Sequence, residues 1–159
     1  MLPGRLEFKD NDRTMQIFVL GMHRSGTSAV ARLLNMMGAY VGAEDALWGA
    51  NDENPKGFWE RKDLQLLNQR VLEQAGADWH RVSGFDAGKL EEKIRKSFLY
   101  DAKQILLKLE PMRPWAVKDP RLCLTFPLWR PIVDMPVCVI PYRNPLEVAR
   151  SLERRNGFP

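Results

Sequence analysis

The sequence predicts an α/β fold in which a parallel sheet is flanked by helices in three layers, α/β/α. Three observations carry this. Short apolar, β-branched runs recur at residues 15–20, 114–120 and 136–142. Apolar residues at three-to-four spacing fill much of the sequence between and after them, and the first run passes straight into a glycine-rich turn. Strands separated by helices imply right-handed crossovers, hence a parallel sheet with both faces covered.

In chain order, residues 15–20 make the first strand. Ala29, Val30, Leu33, Leu34 and Met37 then set the apolar stripe of a helix that Gly38 stops. Residues 39–60 are polar and rich in Gly, Asn and Asp, which reads as a long loop of the kind that binds ligands. A second helix covers 61–75 through Leu64, Leu67, Val71 and Leu72. A third begins at Asp86 and runs through Leu90, Ile94, Phe98, Ala102, Ile105 and Leu109. Both should pack on the sheet. The strands at 114–120, cut off by Pro120, and 136–142 are apolar enough to sit buried in a parallel sheet. The last helix opens with Asn144 as cap, Pro145 in the first turn and Glu147 completing a capping box, and it ends near Asn156-Gly157.

A chain of 159 residues, 45% of them hydrophobic, fits one domain spanning 1–159 with its own core. The net charge of +4 suits an anionic ligand. Lys and Arg are nevertheless spread along the chain without an aromatic-basic signature, so no nucleic-acid partner is expected. Cys123 and Cys138 form no C-x-x-C and have no histidine cluster nearby, which argues against a zinc site or a disulfide framework and for a reducing compartment. The N-terminal stretch lacks the apolar core of a secretory signal, and no later run reaches membrane-spanning length. A cytoplasmic protein with no membrane span is the expectation.

Chemistry concentrates in "FVLGMHRSGTSAVARLL", residues 18–34. Gly21, Gly26 and Ser28 fall in register with the phosphate loop G-x-x-x-x-G-K-[ST], but Thr27 stands where the lysine should be. The two glycines let backbone wrap an anion, and the amides of residues 25–28 (Ser25, Gly26, Thr27, Ser28) would meet it at a helix N-terminus, with the hydroxyls of Thr27 and Ser28 as further donors. His23 lies inside the loop and suits its shape or ligand contacts. Lysine bridges the terminal phosphates in ATP- and GTP-using loops, and a Ser/Thr hydroxyl there holds magnesium. Arg24 instead offers its charge from within the turn, which suits a terminal anion with less charge than a γ-phosphate and no bridging metal, such as a sulfate ester.

A second anion clamp is readable in "YRNPLEVARSL". Arg143 ends a strand, and Ser151 lies eight residues on, about 10 Å along the following helix from its cap. A guanidinium fork plus a hydroxyl is suited to phosphate. Two anion sites, one on a 5′ loop and one on a 3′ clamp, describe a nucleotide phosphorylated at both ends. Here the sequence resembles the sulfotransferases that use 3′-phosphoadenosine 5′-phosphosulfate (PAPS). "HRSGTS" resembles their 5′-phosphosulfate loop, and Arg143 with Ser151 resembles their R-x7-S signature for the 3′-phosphate. "DENPKGFWE" and "KDPRL" are similar to stretches of bacterial sulfotransferases, and the resemblance spans residues 17–158.

The resemblance implies a P-loop-like α/β fold, no metal, and transfer of a sulfuryl group from PAPS to a hydroxyl or amine of a small-molecule or glycan acceptor. It implies cofactor contacts from His23, Arg24, Ser25, Gly26, Thr27, Ser28, Arg143 and Ser151. Arg24 would also stabilise the leaving oxygens, and Lys118 the transition state. For the general base the segment after the first helix offers Glu60, which follows the shielding pair Phe58-Trp59, and Glu53, with Asp52 and Asp63 close by. The 39–60 loop would lie on the acceptor side. Relatives continue beyond the 3′ clamp, so a C-terminal portion is expected past residue 159. The rival readings are a P-loop kinase or NTPase, for which Asp119 is the candidate magnesium ligand, and a non-catalytic nucleotide-binding domain.

Overall fold

The computed structural model describes residues 15–51 and 54–157. The N-terminal stretch discussed above lies outside them, as do Asp52 and the alternative base Glu53. The sheet has three parallel strands, β1 Gln16–Val19, β2 Trp115–Lys118 and β3 Pro136–Val139, in the order β2-β1-β3. Because side chains alternate across a strand, Phe18 and Val117 face one layer while Ile17 and Ala116, paired in register, face the other.

The helices are α1 Thr27–Met36, α2 Lys62–Gln74, α3 Glu92–Leu109, α4 Leu122–Trp129 and α5 Pro145–Asn156. Leu64, Leu67 and Val71 of α2, Phe98, Ala102 and Ile105 of α3, and Leu122, Leu128 and Trp129 of α4 close over the Phe18 face. Leu34 of α1 packs with Ala39 and Val41 on the Ile17 face. An α/β/α layering results. Phe18 anchors the larger layer, meeting Trp115 and Phe126 edge-on with ring centroids 5.4 and 5.1 Å away. Burying each such side chain stabilises the fold by about 1.5–3 kcal/mol.

Several elements differ from expectation. The third helix starts at Glu92, because the Asp86 side chain accepts from Gly88 N (2.8 Å) and caps a short 3-10 turn, Ala87–Lys89, instead. α4 had no counterpart in the sequence reading. Part of the 39–60 segment is buried structure: Tyr40 bridges Trp115 on the outer side of β2, with Tyr40 N on Pro114 O (2.8 Å) and Ala116 N on Tyr40 O (2.8 Å). β3 is an edge strand, not a buried one, with Val137 exposed and Ile140 and Tyr142 more so just beyond it. Asn144 does cap α5, its Oδ1 accepting from Leu146 N at 2.9 Å, but Glu147 pairs with Arg143 and completes no capping box. Both cysteines are exposed. Among the described residues no helix is long and apolar enough to cross a membrane.

Candidate functional site

A parallel sheet sends every strand's carboxyl end to the same edge, so the turns after β1, β2 and β3 meet there. A cleft of about 1070 Å³ opens at that edge, lined from the first turn by His23, Arg24, Gly26, Thr27 and Ser28, from the end of β2 by Lys118 and Arg121, and from beyond β3 by Arg143 and Arg155. Glu60 lines it from the segment preceding α2. Ser25 and Ser151 do not line it.

The glycine turn closes on itself. Ser25 N donates to Met22 O (3.2 Å) and Ser25 Oγ donates to the same carbonyl (2.7 Å), so this hydroxyl shapes the turn. Arg24 takes a left-handed backbone, φ 67, and Gly26 follows at φ 95 as the N-cap of α1. Glycine meets that second requirement without a steric penalty. Among the described residues no side chain caps α1, so its first amides keep the unmet hydrogen-bonding capacity and partial positive charge of a helix N-terminus. At Gly21 a Cβ would fall 2.7 Å from Thr27 Cγ2 and 2.8 Å from Ser25 Oγ, so the turn is too tight there for a side chain.

Arg24 ties this turn to the last helix. Its Nε donates to Ser151 Oγ (2.9 Å), and its carbonyl accepts from Arg143 Nη1 (2.9 Å). Arg143 Nε in turn donates to Glu147 (3.1 Å). The two clamps expected from sequence therefore do not stand apart as separate pockets: Arg143 and Ser151 both reach the glycine turn through Arg24. Ser151, buried on α5, holds the arginine rather than facing the cleft.

Beneath the turn, Lys118 is 4% exposed and its Nζ is paired with Glu60 Oε1, with Ser28 Oγ and Phe58 O each 3.4 Å away. Glu60 thus meets an ammonium where the sequence suggested an apolar shield from Phe58 and Trp59. Lys118 turns to Glu60, not to its neighbour Asp119. Asp119 is fully buried and its carboxylate accepts from Asn68 Nδ2 (2.8 Å) and Arg121 Nη1 (2.9 Å). Burial pushes its carboxyl up to about 6 against the opposing pull of Arg121. Asn68 Oδ1 accepts from Thr125 Oγ1 and Trp129 Nε1, both at 2.9 Å, so one buried network fixes α2, α4 and the end of β2 to each other.

Family models, curated proteins and solved structures yield no match to the chain.

Seven cations line the cleft, Arg32 and Lys56 joining the five already named, against the single carboxylate of Glu60 among the described residues. Such a one-signed concavity concentrates anions. Arg121, Arg155 and Arg32 were not singled out from sequence. Two of them had a helical signal, since Arg155 follows Ser151 by one turn and Arg32 follows Ser28 by one turn.

His23 sits among these charges with its Nε2 buried and without a hydrogen-bond partner among the described residues, and its ring packs edge-on against Trp79 at 4.7 Å. Burial first, then the positive fields of Arg121, Arg155, Lys118 and Arg24, lowers its pKa from 6.5 to about 3. The imidazole is neutral at working pH. The unfolded chain takes up a proton near 6.5 that the folded one refuses until about 3. This part of the stability is therefore present above pH 6.5 and lost as pH falls below it. Between pH 6.5 and 5 the loss should reach about 2 kcal/mol. Denaturant unfolding of wild type and His23→Phe at both pH values isolates the effect, because Asp119 titrates in the opposite direction in both proteins. Equal pH slopes would refute the assignment.

Proposed function

We propose that this chain is a PAPS-dependent sulfotransferase with a P-loop-like α/β fold, transferring a sulfuryl group to a hydroxyl or amine acceptor. The observation that carries the reading is the bond from Arg143 to the Arg24 carbonyl. It joins Arg143, which the resemblance assigns to the 3′-phosphate, to the glycine turn at one cation-lined cleft. A nucleotide phosphorylated at both ends needs charges at both places, and a mononucleotide triphosphate does not.

In this reading the open amides of α1 and the hydroxyls of Thr27 and Ser28 hold the 5′-phosphate, with Arg24 on its bridging and leaving oxygens. Arg143 holds the 3′-phosphate. Ser151 acts through Arg24, positioning its guanidinium. The acceptor oxygen forms a bond to sulfur while the sulfur bond to the 5′-phosphate oxygen breaks, the electron pair leaving with that phosphate. The acceptor proton passes to the Glu60 carboxylate, which Lys118 releases as its ammonium turns to the charge growing on the sulfuryl oxygens. The kinase reading requires a carboxylate for magnesium at the end of β2, and Asp119 spends its oxygens on Asn68 and Arg121 away from the cleft.

Calorimetric titration tests the assignment. 3′-Phosphoadenosine 5′-phosphate should bind in the presence of EDTA at least tenfold more tightly than ATP with magnesium. Equal or tighter binding of magnesium-ATP would overturn it.

A further inference from the structure

Beyond Lys118 and Glu60 the cleft continues along α1. Ser28, Ala29, Arg32, Leu33 and Met36 lie on one face of that helix, and all of them line the cleft. Ser28 to Met36 is eight residues, about 12 Å of helix. The opposite wall comes from the segment before α2, with Trp48 and Phe58. Leu33 is 57% exposed, Met36 62% and Trp48 41%. Outward positions of a surface helix normally carry polar residues, and three exposed apolar side chains lining one cleft, two on α1 and one across from it, mark a surface that a ligand covers. Methionine adapts its shape to such a ligand. A carbohydrate would call for a set of polar side chains free to bind it, and on its far stretch α1 offers only Arg32. Of Asn51, Asn54, Lys56 and Gln65, which also line the cleft, Asn51 Oδ1 accepts from Asn54 N (2.9 Å) and Asn54 Nδ2 donates to Gly57 O (2.6 Å). Arg32 makes no hydrogen bond or ion pair among the described residues, which leaves its guanidinium available for an anion on the ligand.

Resting on the sulfotransferase reading, we propose that the acceptor is an amphiphilic hydroxy acid: a hydroxyl delivered to Lys118 and Glu60, an apolar body against Leu33, Met36 and Trp48, and a carboxylate on Arg32. The reaction makes its sulfate ester. The acceptor oxygen bonds to sulfur, the sulfur–oxygen bond of PAPS breaks, and the hydroxyl proton goes to Glu60.

The test uses ω-hydroxydecanoate, its methyl ester and maltotriose as probes, titrated by calorimetry into the protein preloaded with 3′-phosphoadenosine 5′-phosphate. The acid should bind about tenfold more tightly than the ester, and maltotriose should not bind detectably. Arg32→Gln should make acid and ester equal. The double variant Leu33→Ser with Met36→Ser should weaken both about tenfold, while its thermal midpoint stays at the wild-type value, since both side chains are exposed. With PAPS supplied, mass spectrometry should find the sulfated acid. Tighter binding of maltotriose than of the acid, or unchanged affinity in the double variant, overturns the proposal. The nucleotide titration separates the two layers: bisphosphate binding without acid binding sinks the acceptor class alone, and acid binding without bisphosphate binding sinks the transfer reaction.

Discussion

Replacing Lys118 with methionine is expected to destabilise the protein by about 3–5 kcal/mol, the cost of leaving a buried carboxylate without its partner. The side chains of Lys118 and Glu60 are only 4% and 9% exposed, so water cannot take over from the lost ammonium. For a chain of this size the melting midpoint should fall by roughly 6–20 °C. Combining Lys118→Met with Glu60→Leu removes both charges and should restore most of the loss, because a buried ion pair exchanged for apolar side chains is often neutral. The double variant also separates structure from chemistry: its fold returns, whereas sulfuryl transfer stays absent. A single variant that melts with wild type would show that the pair is not shielded, and a double variant that still transfers would remove both residues from the mechanism.

Arg143→Ala should abolish discrimination between 3′-phosphoadenosine 5′-phosphate and adenosine 5′-phosphate. Affinity for the bisphosphate should drop about 10–100-fold, the range for a charge-assisted hydrogen bond at a partly exposed site, while the monophosphate changes little. The guanidinium also bonds the Arg24 carbonyl at 2.9 Å, so a modest loss of monophosphate affinity is expected as the turn loosens. Arg143→Lys keeps the charge without the fork and should fall between the two. An unaltered preference for the 3′-phosphate in Arg143→Ala would take this residue out of nucleotide recognition.

The alternation of strand and helix was legible because periodicity is local. α1 and α5 were readable for the same reason, each with its own signals: an apolar stripe, a glycine stop, an asparagine cap. α4 was not, since "LCLTFPLW" is short, nearly all apolar and contains Pro127, so no periodicity distinguishes it from a buried strand or a loop. The edge position of β3 was illegible too. A run such as "PVCV" says that a strand forms, but whether it lies at the centre or the border depends on pairing with β1, more than a hundred residues away. In the site, the glycine turn and the two arginines at strand ends or turns were visible as motifs. The partners of those side chains were not: Glu60 and Lys118 are 58 residues apart, and Arg24 and Ser151 are 127 apart. Sequence showed which groups can meet an anion, and tertiary packing decided which of them first meet one another.

The double tether of Arg24 has a mechanical consequence. With Nε held on Ser151 Oγ, an anion is met by the two Nη groups of the same guanidinium, so whatever pulls on that fork pulls on the last helix as well. Arrival of ligand at the front of the molecule is thereby transmitted to residues 145–156, at the opposite end of the chain. The last helix is then a reporter of occupancy, and a probe attached to its outer face would register loading of the turn without touching it.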